Sequence, residues 1–239
     1  DHTRITAGSS AGSAALVASG VVPYALGSDT GDSIRKPAAY CGIVGYKPTY
    51  GAISRFGLFP FASSLDHVGV LTRSVRDAAI VVDNVAGIDP NDMTSIDLKP
   101  NLTKNLDNDI VGKKIFYIKN LLDSLNDSEE TNKILDEFKN TIKHLENLGC
   151  VVSGIDIDMK LLQAIFPTYV CLSCAEATSN DSNLTGIIFG PKGDGDNYID
   201  MIKNHRTKGF TSLIKRRFVI GSYVLQKENQ EKYFLNAKR

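Results

Sequence analysis

The sequence predicts an α/β protein, in which short strands alternate with helices. Within residues 1–90, apolar runs alternate with segments of helical pattern, including a clear amphipathic helix capped by Ser74 with Asp77 three residues further on. Residues 113–157 repeat the order strand, helix, strand. Between these regions, residues 89–112 are rich in Asp, Asn and Pro, which is typical of a long surface connection.

The elements of the first region follow from local patterns. The small residues of 11–20 predict a closely packed helix, and 22–29 predict a buried strand. Residues 34–42 predict a short helix that ends at a glycine, because glycine readily adopts the left-handed conformation of a helix C-terminus. A second strand is predicted over 43–48.

The rest of the chain is predicted to be mainly helical. Helices are predicted over 128–150, 159–180 and 209–239, and strands over 113–119 and 150–157. Pro167 is expected to interrupt the second of these helices, because proline has no N–H to donate within a helix.

Composition argues against several classes of function. Lys and Arg number 27, as do Asp and Glu, so net charge provides no general attraction to nucleic acid or an anionic membrane. No apolar run approaches the roughly 20 residues of a membrane-spanning helix. Cys171 and Cys174 form a CxxC pair, but a lone pair is a weak zinc signal, and buried thiols are the preferred interpretation. These features predict a cytoplasmic protein without a bound metal.

Ser33 is the strongest candidate for a nucleophile. It lies in the turn-rich stretch GSDTGDSIR, between an apolar run and a helix. Its surroundings lack the GxSxG pattern of α/β hydrolases. A Ser-His-Asp triad requires a histidine, and no histidine here has a context typical of a catalytic base. The histidines considered are His2, His67, His144 and His205.

A second serine-rich loop, residues 7–13, suggests how Ser33 could be activated. If the two loops lie side by side, Ser9 could pass the proton of Ser33 to a lysine that burial keeps neutral. Backbone N–H groups could then stabilise an oxyanion, namely those of Thr30, Gly31, Asp32 and Ser33. From residue types alone, a purely structural serine-rich turn remains open. Ser10 and Ser13 are interpreted as helix-capping residues rather than catalytic ones.

Residues 7–51, AGSSAGSAALVASGVVPYALGSDTGDSIRKPAAYCGIVGYKPTYG, resemble the amidase signature family over a long and specific stretch. Residues 54–79, SRFGLFPFASSLDHVGVLTRSVRDAA, resemble the branch that supplies ammonia to tRNA-dependent amidotransferases. Weaker similarity at 166–180 and 214–225 extends the resemblance over nearly the whole chain. It implies the amidase-signature fold, a mixed sheet sandwiched by helices, as one domain over 1–239 that is incomplete at both ends.

The resemblance also implies a Ser-cis-Ser-Lys triad. Matched by position, Ser33 is the nucleophile that forms an acyl ester, and Ser9, after a cis peptide bond, is the bridging serine. The triad lysine is expected to precede the first residue of this sequence. Tyr169 and either Arg216 or Arg217 match substrate-binding positions, with an ordinary core aromatic and a solvated basic helix face as the alternatives. Asp29 and Arg35 are interpreted as braces of the nucleophile's turn.

The activity implied by the resemblance is hydrolysis of glutamine to ammonia, which a partner protein uses to amidate glutamate attached to tRNA(Gln). The implied partners are the B and C subunits of such an amidotransferase, with tRNA bound mainly through them. No cofactor is expected on this chain, since ATP and Mg²⁺ are used by the partner. No membrane partner is expected.

One departure from the family pattern leaves alternatives open. Asp32 stands where the family usually has glycine, and a carboxylate there could repel the oxyanion or point to solvent. The second hypothesis, after the enzyme, is a structural subunit that is catalytically impaired or truncated, which Asp32 and the expected position of the lysine support. Another alternative is a stand-alone amidase acting on small amides, against which the KPTYG and FASSLD stretches weigh.

Overall fold

The computed structural model describes residues 3–239, so His2 lies outside the described residues. The chain divides into two compact units, which are considered separately. One comprises Asp1–Leu106 with Thr168–Arg239, and the other comprises Asp107–Pro167.

The first part of the larger unit is an antiparallel sheet with helices packed against it. Its elements are α1 (Ala11–Ala18), β1 (Tyr24–Asp29), α2 (Arg35–Cys41), β2 (Val44–Tyr46), β3 (His67–Thr72), α3 (Val75–Val85) and the short α4 (Leu102–Asn105). The strand order is β1-β3-β2, and Val70 of the central strand lies opposite both Leu26 and Tyr46. Strand β3 is absent from the sequence prediction.

Local signals set several boundaries in this part of the chain. Ser74 Oγ accepts a 3.1 Å hydrogen bond from the Asp77 N–H at the start of α3, as predicted. Gly42 ends α2 with φ 66°, the left-handed conformation that favours glycine. Helices α1 and α2 and strand β3 share an apolar core formed by Ala14, Val17, Ile34, Ala38 and Leu71.

The smaller unit is a strand-helix-strand arrangement. Its elements are β4 (Lys114–Ile118), α5 (Lys119–Asp123), α6 (Glu129–Asn147) and β5 (Val151–Ile155). Strands β4 and β5 pair in parallel. Helix α6 packs its Phe138 ring edge-on against Tyr117, with ring centroids 5.4 Å apart.

The following segments are largely helical. They are α7 (Met159–Asn180), a 3₁₀ turn (Asp181–Asn183), α8 (Tyr198–Gly209), α9 (Ser212–Leu225), α10 (Lys227–Gln230), a π-helical segment (Glu231–Leu235) and α11 (Asn236–Lys238). Helix α7 continues through Pro167, so the predicted interruption is wrong. Burial of the apolar Cys174, Ala175 and Ala177 stabilises the turns after the proline and outweighs the loss of one backbone hydrogen bond.

Helices α7 and α9 approach closely at Gly221. A Cβ at this position would lie 2.1 Å from the Cys174 carbonyl oxygen and 2.1 Å from Thr178 Oγ1. Only a residue without a side chain permits this crossing. The crossing fixes α9 against the second half of α7, at Cys174 and Thr178.

The α/β class predicted from the sequence is confirmed. The strands of the described residues form one antiparallel and one parallel sheet. Each helix within residues 3–239 is too short or too polar to span a lipid bilayer.

Candidate active site

Hydrogen bonds hold the serine-rich loop against the turn that carries Ser33. The Ser10 N–H donates to the Ser33 carbonyl at 3.1 Å. Ser10 Oγ donates to the Ser28 carbonyl at 3.1 Å and accepts from the Ser28 N–H at 3.2 Å. The contact depends on Gly27, since a Cβ there would lie 2.7 Å from Ser10 Oγ. The two loops therefore lie side by side.

The peptide bond between Gly8 and Ser9 is cis, the geometry that the resemblance implies for the bridging serine. The capping role expected for Ser10 and Ser13 is not observed. Ser10 precedes α1 without a side-chain capping bond, and Ser13 Oγ donates to the Leu26 carbonyl at 2.9 Å instead. Both hydroxyls therefore hold β1 rather than the first turn of the helix.

The turn from residue 29 to 35 is organised around a buried carboxylate. Asp29 is 1% exposed and accepts hydrogen bonds from the Ile34 N–H (3.1 Å) and from Nε (3.1 Å) and Nη2 (3.0 Å) of Arg35. Arg35 also donates to the Gly31 carbonyl. Burial alone would raise the pKa of Asp29, but these hydrogen bonds and the Arg35 charge outweigh it and hold that pKa below its ordinary value. Asp29 and Arg35 brace the turn, as expected.

The braced turn leaves a set of backbone donors without protein partners. Within residues 3–239, no hydrogen bond to another protein group uses the N–H of Thr30, Gly31 or Asp32. Adjacent N–H groups in a fixed turn can stabilise an oxyanion because they need no reorganisation when the charge forms.

The Asp32 side chain lies on the solvent side of this turn. Its carboxylate makes a 2.6 Å ion pair with Lys36, one helical turn further on, and is 51% exposed. Like-charge repulsion of an oxyanion is weakened by this pairing and by the surrounding water.

One cavity of about 320 Å³ collects most of the candidate residues. Its lining consists of Ser9, Ser28, Thr30, Ser33, Leu58, Phe59, Phe61, Asp66, Tyr169, Ile214 and Arg217. The cavity thus combines two candidate serines with an aromatic ring and a guanidinium group. None of the described histidines contributes to it.

The cavity distinguishes the two neighbouring arginines of α9. Arg217 lines it, with its guanidinium 5.2 Å from the centre of the Phe61 ring. Arg216 is exposed and does not line it. Tyr169, on α7, packs closely against Gly31, where an added Cβ would lie 3.2 Å from the tyrosine ring.

Sequence reasoning missed Asp66, which is 3% exposed at the cavity. Its Oδ2 accepts from the Phe61 N–H (2.9 Å) and the Ala62 N–H (3.0 Å), and its Oδ1 accepts from Thr30 Oγ1 (2.5 Å). The sequence offered one indication of this residue, an acidic side chain directly before the mainly apolar stretch HVGVL. Asp66 joins the turn that carries Ser33 to the loop that forms one wall of the cavity.

The wall loop, residues 59–66, is also fixed to helix α7. Asn180 Nδ2 donates to the Phe61 carbonyl and to Ser63 Oγ, both at 3.2 Å. The Glu176 carboxylate accepts a 2.9 Å hydrogen bond from the Ser64 N–H. The cavity is therefore bounded by elements that are tied to one another.

The fold and the serine-lined cavity define the class of protein. A family model described as Amidase matches residues 1–239, and the chain belongs to this family, the amidase signature family. Within it, the chain is 42% identical over 242 residues to the A subunit of glutamyl-tRNA(Gln) amidotransferase from Staphylococcus carnosus, covering 100% of this chain and 48% of that protein.

Solved structures agree with this assignment. The crystal structure of the A subunit of glutamyl-tRNA(Gln) amidotransferase from Thermotoga maritima is 38% identical with a TM-score of 0.72, covering 98% of this chain and 45% of that one. A vestigial protein complex related to the origins of an s-triazine catabolic enzyme gives a TM-score of 0.75 at 31% identity, covering 100% of this chain and 45% of that one. The chain spans about half the length of the relatives it matches.

Proposed function

We propose that this chain carries the glutaminase site of a tRNA-dependent amidotransferase, which releases ammonia for the conversion of Glu-tRNA(Gln) to Gln-tRNA(Gln). The observation that carries the proposal is one cavity lined by Ser9, Ser33 and Arg217. It supports the proposal because a nucleophile, a proton relay and a carboxylate ligand are what amide hydrolysis of an amino acid requires. The similarity to amidotransferase A subunits supports the same substrate.

In the proposed reaction, Ser33 Oγ attacks the side-chain carbonyl carbon of glutamine. Its proton moves through Ser9 to a neutral lysine, the third member of the triad that the resemblance implies. The N–H groups of Thr30, Gly31 and Asp32 stabilise the oxyanion. The C–N bond then breaks, and the nitrogen takes up the relayed proton and leaves as ammonia. Water hydrolyses the remaining glutamyl ester and regenerates Ser33.

Arg217 is assigned to the α-carboxylate of glutamine, because a planar guanidinium can donate two parallel hydrogen bonds to a carboxylate. Its position in the cavity lining supports Arg217 over Arg216. Tyr169 is assigned to the same pocket, where its ring packs against the nucleophile's turn.

Partners and cofactors are proposed from the relatives. The B and C subunits would receive the ammonia and bind most of the tRNA, with ATP and Mg²⁺ consumed on the partner side and no cofactor on this chain. We expect the assembly to be cytoplasmic.

The test is ammonia release from glutamine by the natural polypeptide that contains these residues, purified with its partners. Ser33→Ala should lower the rate by at least about a thousandfold, and Ser9→Ala by about 10²–10⁴-fold, with assembly intact. Ser19→Ala is the matched control, since Ser19 is exposed and bonds only locally to the Leu16 carbonyl.

Full activity in Ser33→Ala would refute the proposed nucleophile. A wild-type assembly without glutaminase activity would favour a purely structural role, and Asp32→Gly would then test whether the carboxylate impairs the site. Hydrolysis of small amides without partners would favour the stand-alone amidase.

A further inference from the structure

The hydroxyl of Thr30 donates its only proton to Asp66, at the edge of the cavity. Thr30 lines the cavity together with Ser9 and Ser33, and its Oγ1 donates a 2.5 Å hydrogen bond to Asp66 Oδ1. The backbone N–H of Thr30 belongs to the oxyanion turn, but its hydroxyl has no role in the mechanism described above.

Asp66 determines the direction of this bond. Its Oδ2 already accepts from two backbone N–H groups, those of Phe61 and Ala62, and its side chain is buried. A carboxylate has acceptors only, so the shared proton comes from the threonine. A hydroxyl has one proton and two acceptor lone pairs. With its proton committed to Asp66, Thr30 Oγ1 can only accept a hydrogen bond from a molecule in the cavity.

We propose that Thr30 Oγ1 accepts a hydrogen bond from the carboxamide nitrogen of the substrate and thereby selects primary amides over esters of the same acid. The inference rests on the proposed glutaminase function and adds a specificity determinant to it. A carboxamide nitrogen carries two hydrogens, whereas the leaving oxygen of an ester carries none. Holding one N–H on Thr30 leaves the lone pair of the tetrahedral nitrogen free to receive the proton that Ser9 relays.

Three variants separate this role from a structural one. Thr30→Val keeps the shape of the side chain and removes the hydroxyl, whereas Thr30→Ser keeps the hydroxyl. In Asp66→Asn, the amide oxygen satisfies the Phe61 and Ala62 N–H groups, so the new NH₂ faces Thr30 and donates to it. The threonine proton is then released toward the cavity, which reverses the polarity of the hydroxyl.

The experiment compares kcat/KM for glutamine with kcat/KM for glutamate γ-methyl ester, using the natural polypeptide assembled with its partners. This parameter covers the steps up to acylation, in which the amide nitrogen or the ester oxygen leaves. The ratio of the amide value to the ester value should fall about three- to tenfold in Thr30→Val, the effect of one neutral hydrogen bond. Asp66→Asn should lower the ratio as well, and Thr30→Ser should keep it.

An unchanged ratio in Thr30→Val and Asp66→Asn, with both substrates equally slowed or equally unaffected, would overturn the inference and leave the pair as a brace. That result is distinct from failure of the proposed function, which would appear as a wild-type assembly unable to hydrolyse glutamine at all. Such an inactive wild type would overturn both.

Discussion

The N–H of Ser10 donates a 3.1 Å hydrogen bond to the carbonyl oxygen of Ser33. This bond joins two loops that a helix and a strand separate along the chain. Because Ser9 immediately precedes Ser10, the same bond holds Ser9 next to the turn that carries Ser33. The proposed mechanism depends on this juxtaposition, since neither loop alone contains both a nucleophile and a path for its proton.

Arg217 and Arg216 provide a test of substrate recognition. We expect Arg217→Lys to raise the KM for glutamine by about tenfold or more, because a lysine ammonium cannot replace the paired hydrogen bonds of a guanidinium. Arg216→Lys should leave the KM unchanged, since Arg216 is exposed outside the cavity. Steady-state glutaminase kinetics of the two variants decide the assignment, and the reverse pattern would show that Arg216 binds the carboxylate.

Alanine substitutions of Asp29 and Asp32 should lower stability unequally, although both residues lie in one turn. Asp29→Ala leaves the Ile34 N–H and the Arg35 guanidinium without their buried acceptor, and it should cost about 2–3 kcal/mol of unfolding free energy. Asp32→Ala removes a half-exposed pair with Lys36 and should cost less than about 1 kcal/mol. Urea denaturation of both variants measures the difference, and equal losses would contradict the bracing role.

Asp29 and Asp181 should affect the pH dependence of stability in opposite directions. The folded pKa of Asp29 lies below its ordinary value of 3.8, so its stabilisation is present above that value and is lost as pH falls through the folded pKa. Burial raises the pKa of Asp181 above 3.8, with Asp66 adding to the rise and Arg206 opposing it. The contribution of Asp181 to the free energy of unfolding is therefore present at low pH and is lost as pH rises through the raised pKa.

The measurement is urea denaturation of Asp29→Asn and Asp181→Asn against wild type between about pH 3 and pH 7. Relative to wild type, Asp181→Asn should become more stable as the pH rises, and Asp29→Asn should become less stable. If the stability of both variants relative to wild type changed in the same direction with pH, the direction of the pKa shift would be wrong for Asp29 or for Asp181.

Gly221 should tolerate no side chain. Gly221→Ala would bring a methyl group against the Cys174 carbonyl and should cost about 1–3 kcal/mol by overpacking the crossing of α7 and α9. Gly12→Ala is the control, because a Cβ at that helical position would meet no atom within 4 Å beyond its chain neighbours and the backbone of its own helix. It should stabilise the protein by about 0.5–1 kcal/mol. Thermal unfolding compares them, and equal shifts would exclude a tight crossing.

Features of the fold that depend on local sequence could be predicted. The cap at Ser74 and the left-handed Gly42 each follow from a few adjacent residues. Strand β3 was not predicted, because Gly69 interrupts its apolar pattern. The structure explains why position 69 is a glycine, since a Cβ there would lie 2.4 Å from the Tyr46 carbonyl oxygen. Helix α8 was also missed, although Asn197 supplies a side-chain cap at its start.

In the candidate site, too, features that depend on contacts between distant parts of the chain could not be predicted. Ser33 and Ser9 were proposed from their turn-rich and serine-rich loops, and the resemblance supplied their roles. Asp66 was missed because its partner Thr30 lies 36 residues away in the sequence. The choice between Arg216 and Arg217 depends on which side of α9 faces the cavity. Packing against distant elements determines that rotation, and the sequence of the helix alone does not reveal it.

The central claim is that Ser33 carries an acyl ester during glutamine turnover. The most direct test is to quench the natural polypeptide and its partners in acid during turnover and to sequence the tryptic peptide by mass spectrometry. That peptide ends at Arg35 and also contains Ser9, so fragment ions must locate the modification. We predict a glutamyl group on Ser33 that is missing in Ser33→Ala. A glutamyl group on another residue, in an enzyme that turns over glutamine, would contradict the claim.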